Sequence, residues 1–117
     1  MIDPLSPSHA RLLYTAGPIS ANVNGTSAQH VDRAKRIAVE LRRRGWSVVC
    51  PHLNSVEIDG FSLDDYLRED FRIISVCDAV VLLPGWRESK GTIAEIDFAA
   101  CRGIQLVDWK LLLPDWR

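Results

Sequence analysis

Residues Ala79 to Leu83 form an unbroken apolar run, Ala-Val-Val-Leu-Leu, entered through Asp78 and closed by Pro84. The run is too short for a buried helix and has no polar face. A strand covered by helices on both sides, in the middle of a parallel sheet, is the element that needs such a run. Parallel neighbours must be joined by crossovers, so strands and helices must alternate in the flanking chain.

They do. Arg11 to Gly17 is a short buried strand stopped at Gly17-Pro18, and Ser20 to Gly25 is a polar loop of small residues. From Thr26 the period becomes helical. Val31, Ala34, Ala38 and Leu41 recur on one face with Ile37 beside them, Thr26-x-x-Gln29 is a capping box, and Gly45 is the stop. Arg42, Arg43 and Arg44 suit the negative end of that helix and read as a solvated terminus. Trp46 to Cys50 is a second strand ended by Pro51, followed by a loop over His52 to Gly60. Ser62-x-x-Asp65 opens a second helix reaching about Val76, with Leu63, Tyr66, Leu67, Asp70 and Ile74 on its apolar stripe. After the Ala79 run comes a loop to Lys90. A third helix starts near Gly91 or Thr92 and ends before Gly103, Ile104 to Val107 is a fourth strand, and Leu111 to Leu113 is a last strand or a docked tail. The expected fold is α/β: one doubly wound parallel sheet of four to five strands, flavodoxin-like or Rossmann-like, in the order 2-1-3-4 with helices on both faces. Residues 1–10 read as a leader and 11–117 as one domain.

Composition narrows the class. The chain has 117 residues, 47% hydrophobic and 25% charged, which excludes disordered and fibrous proteins and leaves too little chain for two cores. Fourteen basic against fifteen acidic residues give a net charge of −1, with no global attraction for nucleic acid or anionic membrane. No apolar run approaches a membrane span, and Met1 to His9 shows no basic-then-apolar signal pattern, so secretion is not expected. Cys50, Cys77 and Cys101 are odd in number and lack metal-site spacing. They read as small buried side chains of a cytoplasmic protein, with no disulfide and no metal. His30 and His52 lack partner spacing and read as surface or loop residues.

In sheets of this order ligands bind beyond the carboxyl ends of the strands, at the switch point between strands 1 and 3. That marks out Gly17 to Gly25 and Pro84 to Thr92. The first contains Gly17, Pro18, Ile19 and Ser20. Its pattern is neither a dinucleotide fingerprint nor a phosphate-binding Walker loop, so no cofactor is expected. The second contains Gly85, Trp86, Ser89, Gly91 and Thr92 at a helix N-terminus suited to an anion. Trp86 can stack on a base or pack on a helix. Thr92-x-x-Glu95 matches a capping box, and a carboxylate there would be held ionised by the helix end, as a nucleophile requires. Asp70 is an acid on an apolar stripe, needing either an arginine such as Arg68, Arg72 or Arg43, or a function. Asp78 reads as a turn or cap residue.

Tyr14-x-Ala-Gly-Pro, Asp70, the stretch Cys77 to Trp86, Ser89-x-Gly-Thr-x-x-Glu95 and Ala99, in this order, resemble the nucleoside 2-deoxyribosyltransferase superfamily. The likeness is strongest to a small branch common in phage and prophage genomes, related to the deoxynucleoside 5′-monophosphate N-glycosidases, and covers almost the whole chain. The resemblance implies cleavage of the bond between a base and a pentose. It assigns Glu95 as the nucleophile, Asp70 as the assisting acid and Tyr14 as a neighbour of the nucleophile, in a homo-oligomer acting on a small nucleoside or nucleotide. Ser89, six positions before Glu95, matches the phosphate-binding serine of the monophosphate hydrolases. Pro18 and Ser20, however, stand where those enzymes commonly carry a serine and an arginine. Cleavage of a nicotinamide nucleotide, or a nucleotide-binding module without turnover, are the alternatives.

Overall fold

The computed structural model describes residues 12–53 and 60–116. The proposed leader, the first residue of the expected first strand and most of the loop before Gly60 lie outside the described residues. Four parallel strands make one sheet in the order β2-β1-β3-β4: β1 is Leu12–Ala16, β2 Ser47–Val49, β3 Ala79–Leu82 and β4 Gln105–Asp108. Helices α1 (Ser27–Arg43), α2 (Leu63–Ile74) and α3 (Lys90–Cys101) join them.

The caps explain where α1 and α2 begin. Thr26 Oγ1 accepts from the Gln29 amide at 3.2 Å, and Gln29 Oε1 accepts from the Thr26 amide at 2.8 Å. Ser62 and Asp65 repeat the exchange at the start of α2. Each cap stabilises its helix by roughly 0.5–2 kcal/mol. Gly45, at φ 101°, turns the chain out of α1. The arginine run that ends α1 is not wholly solvated. Arg42 donates to the Val48 carbonyl at 2.8 Å, and Arg44 bridges Glu40 and Asp115.

Side chains alternate along β1 and thereby divide the core. Leu13 joins Ala34, Ile37, Ala38 and Leu41 of α1 on one face, together with Trp46, Val48 and Leu113. Tyr14 and Ala16 face the other way, into a core with Ile74 of α2 and Ala99 of α3. On that side Phe71 of α2 stacks on Phe98 of α3, ring centroids 4.5 Å apart and planes within 4°. That clasp fixes the mutual position of the residues beside it, Asp70 and, one helical turn away, Glu95.

Several elements differ from the sequence expectation. The segment after β4 forms no strand but a short helix, α4 (Trp109–Leu112), capped by Asp108, whose carboxylate accepts from the Lys110 amide at 3.0 Å. Leu113 then docks in the core. Leu63 is 63% exposed, because the stripe of α2 begins at Tyr66, where the helix first meets the body. Cys101 is exposed, being the last residue of α3, while Cys50 and Cys77 are buried. Asp78 accepts from the Leu12 amide at 2.8 Å and so fastens the start of β1. Among the described residues no helix is long and apolar enough to cross a membrane.

Candidate active site

A cleft of about 870 Å³ opens at the carboxyl end of the sheet. Its walls are the loop Gly17 to Asn22 after β1, the ends of β2 and of the turn that follows, the inner face of α2, and the segment from Glu88 into α3. Gly17, Pro18, Ile19, Ser20, Ser89, Gly91 and Thr92 all line it, as do Asp70 and Glu95. Gly17 is the residue that lets the β1 loop turn there. A Cβ on it would stand 2.7 Å from Leu83 Cβ, closer than side chains pack.

Glu95 lies at the floor of the cleft and is 8% exposed. Tyr14, fully buried beneath it, donates its hydroxyl to Glu95 Oε2. Asp70, from α2, lines the cleft beside them and is electrostatically coupled to both. Three groups separated by many residues in the chain thus form one cluster. Tyr14 reaches it because β1 turns alternate side chains to this face. Asp70 reaches it because the Phe71–Phe98 stack holds α2 against α3.

Burial pushes the Glu95 carboxyl up to about 8; the Tyr14 hydroxyl opposes the rise and the neighbouring Asp70 adds to it. Asp70 is also raised, mainly by burial, against the pull of hydrogen bonds from Glu95 and Tyr14. Tyr14 is held far above its ordinary value by burial and by the two acids, so it remains a neutral donor. Two carboxyls this close titrate as a pair that readily keeps one proton between them.

That electrostatic state corrects one expectation. Thr92 does not cap α3. Ser89 does, its Oγ accepting from the Thr92 amide at 3.3 Å and from Thr92 Oγ1 at 2.8 Å. The helix begins at Lys90, one or two residues earlier than expected, so Glu95 sits in its second turn, beyond the reach of the helix-end field. Burial therefore governs it, and its ionised form is disfavoured rather than favoured. Asp70, too, has no arginine partner among the ion pairs of the described residues; the groups that bear on its charge are Glu95, Tyr14 and Glu69.

Gly85 and Trp86 do not line the cleft. Gly85 takes a left-handed turn, φ 80°, with Asn24 and Pro18 close against it. The Trp86 ring is covered by the Arg87 guanidinium, 4.5 Å from its centroid. The aromatic wall is instead Phe61 against Tyr66, edge to face at 5.4 Å. These residues flank the cap of α2 as a hydrophobic staple, a spacing visible in Phe61-Ser62-x-x-x-Tyr66. His30 and His52 are buried rather than superficial, at 2% and 3% exposure. His30 lies one turn before Ala34 on the apolar face of α1, which was the signal for its burial. His52 follows β2 at the carboxyl edge of the sheet.

The family described as "Domain of unknown function (DUF4406)" matches residues 11–108, and the chain belongs to that family. No curated protein matches the sequence.

Proposed function

We propose that this protein cleaves the N-glycosidic bond of a nucleoside or nucleoside 5′-monophosphate, or transfers its pentose to another base, with Glu95 as nucleophile. The observation that carries the proposal is the cluster of Glu95, Asp70 and Tyr14 at the floor of a cleft large enough for a nucleoside. The likeness of the ordered motifs to the nucleoside 2-deoxyribosyltransferase superfamily supports it.

The chemistry follows from one proton on two carboxyls. With the proton on Asp70, Glu95 is the carboxylate, and Tyr14 steadies its charge. A Glu95 oxygen attacks C1′ as the bond from C1′ to the base nitrogen breaks. The bonding pair leaves on the base, and Asp70 delivers the proton that makes it a better leaving group. The oxocarbenium-like charge developing at C1′ offsets the burial penalty on the carboxylate. A water molecule then attacks C1′ of the glycosyl ester, giving its proton to Asp70 and freeing Glu95. A second base in place of water gives transfer. Phe61 and Tyr66 offer a wall for the leaving base. Ser20, Ser89 and Lys90 offer hydrogen bonds and one positive charge to a 5′-phosphate, partly countered by Glu69 and Glu88 in the same lining.

The proposal includes a cytoplasmic homo-oligomer. Leu63 and Phe61 are exposed apolar residues at the cleft mouth, and Leu111, on α4, is exposed as well. A monomer by size exclusion at micromolar concentration would remove that part.

The testing experiment incubates the protein with 2′-deoxynucleosides and their 5′-monophosphates and follows free base by chromatography. Base release that disappears in Glu95→Gln, with folding intact, is the expected result. Binding without release from any of them would leave a nucleotide-binding module.

A further inference from the structure

Two buried imidazoles take no part in the chemistry above, yet both end on the loop that forms one wall of the cleft. His30, on α1, has Nδ1 2.7 Å from Arg33 Nη2 and Nε2 3.0 Å from Asn22 Oδ1. A guanidinium only donates, so Nδ1 must accept and Nε2 must carry the proton it gives to Asn22. The Asn22 oxygen also accepts from the Asn24 amide at 2.9 Å, and Arg33 reaches the Asn24 carbonyl at 3.2 Å. His52, following β2, has Nε2 2.9 Å from the Pro18 carbonyl. A carbonyl only accepts, so here too Nε2 is the donor, while Nδ1 faces the Cys50 sulfur at 4.0 Å.

We infer that His30 and His52 are positioning residues, a pair of neutral latches that hold the Gly17–Asn22 loop in its ligand-receiving shape from α1 on one side and the β2 edge on the other. The latch itself stands on these contacts alone. Its consequence for binding rests on the cleft being the glycosidase site proposed above.

The neutral state is built into the surroundings. The space that both rings line, with Ala34, Leu83 and Pro84, amounts to about 10 Å³. A single water needs roughly 10–15 Å³, so an imidazolium there has almost no solvent to replace what it loses. Among the described residues, the charged or titratable groups facing the rings are the Arg33 guanidinium from α1, the Cys50 thiol from the end of β2, and the opposite imidazole. Burial lowers the pKa of both rings; Arg33 lowers His30 further, and His30 lowers His52 further. A proton added to His30 at Nδ1 would meet Arg33 donor to donor. The contact reverses from attraction to repulsion, and the grip on Asn22 goes with it. For a base with a lowered folded pKa the latch is complete above the unfolded value near 6.5 and weakens as pH falls below it.

Amide hydrogen exchange on the full chain tests this through the Asn22, Asn24 and Gly25 amides, which hydrogen-bond within the loop. Protection factors, corrected for intrinsic rates, are compared from pH 7.5 to 5. In the wild type they should fall at least tenfold toward pH 5 while the β3 amides hold. His30→Leu and His52→Leu should show the same selective loss already at pH 7.5. Glutamine can both donate and accept at these places but does not titrate. The double variant His30→Gln, His52→Gln should therefore keep the loop protected and level across the range. Loop protection independent of pH in the wild type would overturn the inference; so would leucine variants that lose β3 protection in proportion. Nucleoside cleavage is the second readout: the leucine variants should raise KM about tenfold with kcat nearly unchanged. If no variant and no wild type releases base, the glycosidase reading fails, while the exchange data still decide the latch.

Discussion

Replacing Glu95 by glutamine should make the protein more stable while ending turnover. Glu95 is nearly buried, and burial with Asp70 nearby raises its pKa from 4.5 to about 8. An acid whose folded pKa is raised contributes fully below the unfolded value and loses that contribution as pH climbs to the folded one. Over that window the unfolded chain has released a proton that the folded protein still holds. The loss is about 1.4 kcal/mol per pH unit, hence on the order of 3 kcal/mol at pH 7 and 5 kcal/mol above pH 8. Glutamine has no proton to release. Its carbonyl can accept from Tyr14, and its amide can donate to Asp70, so nothing buried is left unpaired. Urea unfolding followed by tryptophan fluorescence at pH 5, 7 and 8.5 measures the effect, and comparing the two proteins cancels the titrations outside the cluster, the histidines included. The curves should nearly coincide at pH 5. At pH 8.5 the variant midpoint should be higher by about 2 M, taking a urea slope of about 2–3 kcal/mol per molar. A constant gap at all three values, or a variant weaker at pH 8.5, would refute the assignment of Glu95 as a buried, strained acid.

The same cluster gives opposite results for its other two members. Tyr14→Phe removes the hydrogen bond that lowers the Glu95 pKa, so the acidic limb of the base-release profile should move to higher pH; a limb that stays put would separate Tyr14 from the nucleophile. Asp70→Asn removes the charge that raises it, so that limb should move to lower pH, while turnover falls roughly 100-fold or more for bases that need protonation to leave. Away from the chemistry, Gly17→Ala should cost about 1–3 kcal/mol in urea unfolding, because its Cβ would meet Leu83 Cβ at 2.7 Å. A neutral result would mean that β1 and the β3 loop are less tightly apposed than described.

What the sequence disclosed was local or topological. Thr26 with Gln29 and Ser62 with Asp65 are caps written in neighbouring residues, and both formed. The order 2-1-3-4 follows from the right-handed crossovers of a doubly wound sheet, and that order by itself places the cleft at the switch point beyond strands 1 and 3. What it left open depended on where a side chain points once helices have packed. Thr92-x-x-Glu95 looks like a cap, but Ser89 caps the helix three residues earlier by accepting from the Thr92 amide itself, and Glu95 turns inward. The orientation of Asp70 is decided by the stacking of Phe71 on Phe98, a contact between helices that no spacing encodes. The chemistry-free tail after β4 offered Leu-Leu-Leu to strand and helix alike, and Asp108 capped it as a helix.

The central claim is that Glu95 takes the sugar at C1′. A nucleoside carrying fluorine at C2′ weakens the oxocarbenium-like state and slows release of the glycosyl ester, so the intermediate should accumulate. Mass spectrometry of the digested protein should then find a pentosyl mass on the peptide from Gly91 to Arg102, fragmenting at Glu95. A sugar on any other residue, or free base appearing with no adduct and undiminished in Glu95→Gln, would contradict it.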